Sequence, residues 1–228
     1  MYEEPNGKNK MRSLVFAGSK GIGKAIANKL LEISKETFTL SSKDCDTSKI
    51  SNVKKIIAKY KNLDVIVLNT GGPPAKDFHD IKYKDWIKYF NQLFLFFVLF
   101  LQKVSLNKNG YIFLISSLHV KEPNEKLILS NAYRIALVSV LKSLSIILRK
   151  KNISVINIAP GPTQTNRLKK LLKKNKSDIN TLKKNLGVNY IPETNEIAEF
   201  VKLVVKKNLQ SLNGQTIGFD MGINKFIF

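Results

Sequence analysis

The chain has 228 residues, and 38 Lys and Arg against 17 Asp and Glu give a formal net charge of +21. With 43% hydrophobic residues it can bury a core, so wholesale disorder is excluded, and the length suits one domain. A single cysteine, Cys45, excludes an intrachain disulfide and a Cys-based zinc site and points to a reducing, cytoplasmic setting.

Met1 to Lys10 (MYEEPNGKNK) is polar with two early acids, so it reads as a flexible tail (1–10) and not as a signal peptide. Arg12 to Ala17 (RSLVFA) predicts a short strand that runs into glycines. Ile22, Ile26, Leu30 and Ile33 then recur at helical spacing. Thr37 to Leu40 is a second strand, and Lys49 to Tyr60 a basic amphipathic helix. Asp64 to Leu68 (DVIVL) has the continuous apolar character of a central parallel strand. Trp86 to Val104 predicts a long helix. Its apolar run, Leu93 to Leu101 (LFLFFVLFL), is about half the roughly 20 residues that cross a bilayer. It reads as a helix buried in a core or at a subunit contact. Tyr111 to Ile115 is a buried strand, Asn131 to Leu148 a long helix, and Ser154 to Ile158 a strand ending in Ala159-Pro160-Gly161. Glu196 to Lys206 gives a last helix and Thr216 to Phe219 a last strand. Strand and helix alternate throughout. The expected fold class is α/β, a Rossmann-type doubly wound parallel sheet, as one domain over 11–228.

Gly18-Ser19-Lys20-Gly21-Ile22-Gly23 sits directly after the first strand and opens the first helix. Glycine there lets the backbone approach a pyrophosphate and lets helix pack on strand, while free N–H groups and the helix dipole attract the anion. The context makes this a candidate dinucleotide-binding turn.

On these residues the chain resembles the short-chain dehydrogenase/reductase family, from about Arg12 to Gly222. The family pattern Thr-Gly-x-x-x-Gly-x-Gly falls on Phe16 to Gly23, with Ala17 at its first glycine and Gly18 one place later. Asn69-Thr70-Gly71-Gly72-Pro73-Pro74 is similar to the family's Asn-Asn-Ala-Gly segment. The Gly-Gly-Pro-Pro form resembles a 3-oxoacyl-acyl-carrier-protein reductase-like branch. Pro160-Gly161-Pro162-Thr163-Gln164-Thr165 matches the turn that the family sets against the nicotinamide amide, and Asn213 to Gly222 resembles its closing strand.

The resemblance implies a nicotinamide cofactor held by Gly18, Ser19, Lys20, Gly21, Ile22, Gly23, Ser42, Lys43, Asp46, Asn69, Thr70, Gly71, Arg134, Pro160, Gly161, Thr163 and Thr165. The second strand runs into Ser41-Ser42-Lys43 with no acid at its tip to take a ribose 2′-hydroxyl. Lys20 and Lys43 beside that position favour NADP(H) over NAD(H). Asp46 falls where the family has an aspartate for the adenine amino group. No metal is expected.

At the family's reacting centre a Ser, a Tyr 13 residues later and a Lys four further on carry the proton chemistry. Ser117 matches the serine, but the tyrosine position holds Ser130 and the lysine position Arg134. The relay asparagine falls on Leu93, with Asn91 two residues away. A serine hydroxyl is a far weaker acid than a phenol of pKa about 10, so Ser130 does not simply replace the tyrosine. Arg134 stays protonated and can stabilise an oxyanion without relaying protons. Tyr133 is a reserve acid, turned roughly 60° from the Ser130 face, the other reading being an aromatic packed on the sheet. His119 lies in the loop over the site.

Arg167 to Lys184 (RLKKLLKKNKSDINTLKK) carries eight basic residues and one acid within the expected substrate flap, about 163–190. It suits a phosphate-bearing or carrier-linked acyl substrate, or else it is a solvated helix with Leu168, Leu171 and Leu172 inward. Aromatic interleaving of the nucleic-acid-binding kind is absent, so neither nucleic acid nor membrane is an expected partner. The sequence thus predicts an NADP(H)-dependent oxidoreductase on a carbonyl/alcohol pair, with a 3-oxoacyl thioester implied by resemblance. A homodimer or homotetramer would form through the two long helices. The alternative is a nicotinamide-nucleotide-binding protein without catalysis, since the Tyr/Lys relay is missing.

Overall fold

Leu63–Leu68 (LDVIVL) is buried at every position, and a strand with no polar face must be covered on both sides. In the computed structural model, which describes residues 10–226, this strand (β3) lies inside a six-stranded, all-parallel sheet. The others are β1 (Arg12–Phe16), β2 (Glu36–Leu40), β4 (Leu106–Ile115), β5 (Ser154–Pro160) and β6 (Thr216–Phe219), in the order β2-β1-β3-β4-β5-β6. The expected N-terminal tail lies outside the described residues, apart from Lys10.

Side-chain alternation splits the core into two layers. Leu14, Phe16, Ile66 and Leu68 face one layer with helices α2 (Asn52–Lys59), α4 (Phe96–Leu101) and α5 (Ile128–Leu148). Val15, Val65 and Val67 face the other with α1 (Gly21–Leu31) and α8 (Thr194–Lys206). The apolar run finds its place here: Phe96, Phe97 and Phe100 stand edge-on to Phe16 at 5.9, 5.4 and 5.1 Å. α1 and α8 are tied outside by a ring of four charges, Lys29 and Lys202 each bridging Glu32 and Glu199 at 2.6 to 3.0 Å.

Several boundaries differ from the sequence reading. The helix expected from Lys49 starts at Asn52, because Asp46 organises a turn ahead of it, taking hydrogen bonds from the Ser48 amide and hydroxyl at 3.0 and 2.7 Å. The helix expected over Trp86 to Val104 is α3 (Tyr83–Phe90), then a π-helical turn at Asn91–Leu95, then α4. The flap is two short helices, α6 (Asn166–Lys174) and α7 (Ile179–Leu186), and Leu171 is exposed where it was expected inward.

α5 is long and apolar enough to cross a membrane by length and composition. Here it lies along the sheet with Leu129, Leu137 and Leu141 buried, leaving Ile135, Ile146 and Ile147 exposed. The chain crosses from β2 to β3 on opposite sides of β1, so the sheet's switch point lies between β1 and β3, where doubly wound folds take ligands.

Candidate active site

The first βα turn stands at that switch point. Ala17 has φ 47, the left-handed conformation that favours glycine, while Gly18 has an ordinary one. Gly18 is there for close approach: its amide donates to the Leu40 carbonyl at 3.0 Å, and an added Cβ would lie 3.0 Å from Thr39 Cβ. This contact sets the turn beside the end of β2, so exposed Lys20 and the exposed Ser42-Lys43 segment follow the same ends of two neighbouring strands. Gly21, at φ 52, is exposed, and an added Cβ would sit 3.6 Å from Thr165 Cγ2. Gly23 is buried, and a Cβ there would fall 2.4 Å from the Ala17 carbonyl and 2.6 Å from Asn69 Nδ2. Its part is therefore packing, not contact with a ligand. Helix α1 begins with no side-chain cap and no acid in its first turn, which leaves its leading N–H groups to an anion.

Asn69 to Pro74 follow β3 and form the next wall. Thr70 Oγ1 lies 3.2 Å from Thr47 Oγ1, and the Gly71 carbonyl accepts from Gln92 Nε2 at 2.6 Å. Neither Thr47 nor Gln92 is visible as a site residue in the sequence. The π-helical turn, with Leu93 buried, is what brings Gln92 onto this loop. An added Cβ on Gly71 would meet nothing within 4 Å, so the wall is open there. Opposite, the Gly161 amide donates to the Phe219 carbonyl at 2.9 Å, and a Cβ at Gly161 would lie 2.9 Å from Asp220 Cα. Thr163 is buried and donates to the Gly161 carbonyl at 3.1 Å, which orders the turn after Pro160. Thr165 caps α6, its hydroxyl accepting from the Leu168 amide at 3.2 Å. Uncapped α1, exposed Gly21, open Gly71 and Thr165 border the switch point, where free backbone N–H groups can receive an anion.

Ser117 follows β4, half-buried, its hydroxyl oxygen accepting from the His119 amide at 3.3 Å, so its own proton is free to donate. His119 is turned to the Glu122 carbonyl, 3.0 Å from Nδ1. Ser130 and Arg134 lie on the buried stripe of α5, one turn apart, and Arg134 Nε donates to Ser130 Oγ at 3.1 Å. Arg134 also donates from Nη1 to the Ile115 carbonyl at 3.0 Å and from Nη2 to that of Thr70 at 3.4 Å. Burial, and secondarily the nearby Arg167, lower its pKa to about 10, so it stays charged at neutral pH. Tyr133 packs edge-on against Trp86 and Phe90 at 6.0 and 5.7 Å, within the contact of α3 with α5, and burial raises its phenol. Asp46 has one carboxylate oxygen engaged by Ser48.

A family profile described as enoyl-(acyl carrier protein) reductase matches residues 29–224. The chain is 26% identical over 233 residues to a 3-oxoacyl-[acyl-carrier-protein] reductase of Rickettsia prowazekii, covering 92% of this chain and 95% of that one. Among solved structures, it superposes with a TM-score of 0.80 on a short chain dehydrogenase family protein from Francisella tularensis, at 21% identity, covering 94% of this chain and 98% of that one. A short chain dehydrogenase from Burkholderia cenocepacia in complex with NADP gives a TM-score of 0.78 at 20% identity, covering 95% and 99%. With the profile spanning most of its length, the chain belongs to the short-chain dehydrogenase/reductase family of oxidoreductases.

Proposed function

We propose that the protein is an NADP(H)-dependent reductase that interconverts a carbonyl and an alcohol. The observation that carries this reading is the convergence at one switch point of an uncapped α1, exposed Gly21, the Asn69–Gly71 wall and Thr165. Lys20 and Lys43 supply positive charge at the strand ends where a 2′-phosphate would lie, with no acid at the tip of β2 to select the bare ribose. The NADP bound in the Burkholderia cenocepacia structure supports the choice. Ser19 and Ile22 complete the turn. Bound there, NADPH supplies the hydride that a carbonyl carbon takes up.

The chain's own groups do the remaining work. Ser117, its O–H free, donates a hydrogen bond to the carbonyl oxygen and orients it without giving up the proton. Arg134 has five N–H donors, three of them engaged by Ser130, Ile115 and Thr70, which leaves two for an anionic group of the substrate. Ser130 fixes the guanidinium and does not act as the acid. Tyr133, held in its aromatic contacts, takes no part. The alkoxide is therefore protonated by solvent. The exposed isoleucines of α5, with Ile87 of α3, form the contacts of a homodimer or homotetramer. The basic flap and the Rickettsia relative make a 3-oxoacyl thioester the first substrate to assay.

The pairing of Ser130 with Arg134 also favours a second reading, a nucleotide-binding protein without turnover. Thermal-shift titration with NADPH and NADH, followed by NADPH oxidation against ketones, oxo acids and acyl thioesters, separates the two. Stabilisation by NADPH above NADH and turnover reduced at least tenfold in Ser117→Ala is the expected result. No stabilisation by either nucleotide overturns both readings, and binding without turnover leaves the second.

A further inference from the structure

Two arginines meet at one glycine. An added Cβ on Gly72 would lie 3.0 and 3.2 Å from Arg167 Nη1 and Nη2 and 3.5 Å from Arg134 Nη2. The missing side chain is thus what lets both guanidiniums approach. Arg134 comes from α5 and is 8% exposed, while Arg167 comes from the flap, exposed along most of its length, its Nη2 donating to the Pro73 carbonyl at 3.1 Å. Among the described residues neither is in an ion pair: the seven salt bridges all involve other side chains. All their protein acceptors are neutral carbonyls and one hydroxyl.

A buried cation without a counter-charge, set beside a second one, is costly to the fold. Neighbouring guanidinium forks with unused donors match the two oxygens of a carboxylate. The position is on the reacting side of the cleft: Arg134 touches the carbonyls of Ile115, two residues before Ser117, and of Thr70, whereas Gly21 and Thr165 lie at the α1 end.

We propose that Arg134 and Arg167 together bind a carboxylate of the substrate over Gly72, so that the carbonyl compound is an oxo acid. Binding offsets one of the two positive charges and holds the flap, through Arg167, on the Gly-Gly-Pro-Pro loop. The thioester implied by resemblance is then not the preferred substrate. This inference rests on the reading of the cleft as a cofactor and substrate site.

The test is calorimetric titration of the full chain with 2-oxoglutarate, with oxamate and with dimethyl 2-oxoglutarate, each with and without saturating NADPH. Wild type is compared with Arg167→Gln and Gly72→Ala. Gly72 has no left-handed φ, and the atoms its new methyl would meet are the ends of flexible side chains, so that variant folds. At least one free acid binds wild type, both variants bind it at least tenfold more weakly, the diester binds none of them, and NADPH affinity stays within twofold. Three results overturn the proposal: no acid binds wild type, the acids bind all three proteins alike, or the diester binds as well as the acid. A tenfold loss of NADPH affinity in Arg167→Gln overturns it too, since that arginine would then serve the cofactor's phosphates. Failure of wild type to bind NADPH defeats the earlier reading instead, and the cofactor-free titrations still decide this one.

Discussion

Replacing Arg134 by Met should leave the ligand-free protein about as stable as wild type. The charged guanidinium is 8% exposed, and the lowering of its pKa to about 10 by burial and by Arg167 corresponds to about 3 kcal/mol of penalty on the protonated form. Against this stand three hydrogen bonds from the charged guanidinium to neutral acceptors, at about 1.5 kcal/mol each, the lower end for a charged donor. Methionine fills a similar volume, so little cavity remains. The two contributions cancel to within about 1.5 kcal/mol, as is found where buried charges are exchanged for apolar side chains. The sign with pH is also fixed. The folded state holds this proton less tightly than the unfolded chain, so the penalty is fully present below about pH 10 and is relieved only as pH rises past it. The difference between the proteins should therefore stay constant from about pH 6 to 8. Urea-unfolding midpoints at low salt, with the slope monitored for changes in the unfolded state, measure it. A loss above about 3 kcal/mol at unchanged slope would refute the reasoning, because the guanidinium would then be a net stabiliser of the fold.

Three further outcomes follow from other parts of the molecule. Ala17→Gly should raise stability by up to about 1.5 kcal/mol, since a left-handed L-residue costs about 1–2 kcal/mol and the extra freedom of unfolded glycine about 0.5–1. A lower Tm in a thermal scan refutes it. Glu32 and Glu199 have carboxyls held below the ordinary range by hydrogen bonds from Lys202 and Lys29, so their contribution is present at neutral pH and is lost as pH falls through that range. Glu199→Gln should flatten the fall of Tm between about pH 5 and 3, and an unchanged profile counts against the ring. Ser130→Tyr pushes a ring into a buried position where Arg134 Nε lies 3.1 Å from the hydroxyl, overpacking it by about 1–3 kcal/mol. Adding Arg134→Lys should recover part of that loss, and strictly additive effects in the double-mutant cycle would show that the two positions are uncoupled.

The fold was legible because its signals are local. Leu63–Leu68 has no polar face, the glycines of the first turn sit between a strand and a helix, and Asn69 to Pro74 follow a buried strand directly. The wall residues that were missed are set by contacts distant in sequence. Gln92 reaches Gly71 only because a π-helical turn interrupts a helix whose sequence reads as continuous. The same turn is why a strict 3.6-residue spacing misplaces the faces of that helix. The candidate reacting centre reads in the sequence as a mismatch, Ser130 and Arg134 at the Tyr and Lys positions of the resemblance, whereas its neighbour Arg167 has no such signal.

Arg167 reads as one more cation in a run of eight, and its partner carbonyl on Pro73 is 94 residues away. One signal in the composition could have separated it. The chain has 38 basic residues, only four of them arginine: Arg12, Arg134, Arg149 and Arg167. A lysine ammonium serves a solvated helix face as well as a guanidinium does, whereas a planar fork is needed where several acceptors must be met at fixed geometry. Arg12 meets Glu36 and the Lys61 carbonyl, Arg134 three acceptors at once, and Arg167 lies beside Arg134 at Gly72. In a chain this rich in lysine the net charge of +21 says little about ligands, because most of it is spread over exposed faces. The rare arginines say more, since half of them converge on Gly72, and among the described residues neither of these two is in a salt bridge with an acid.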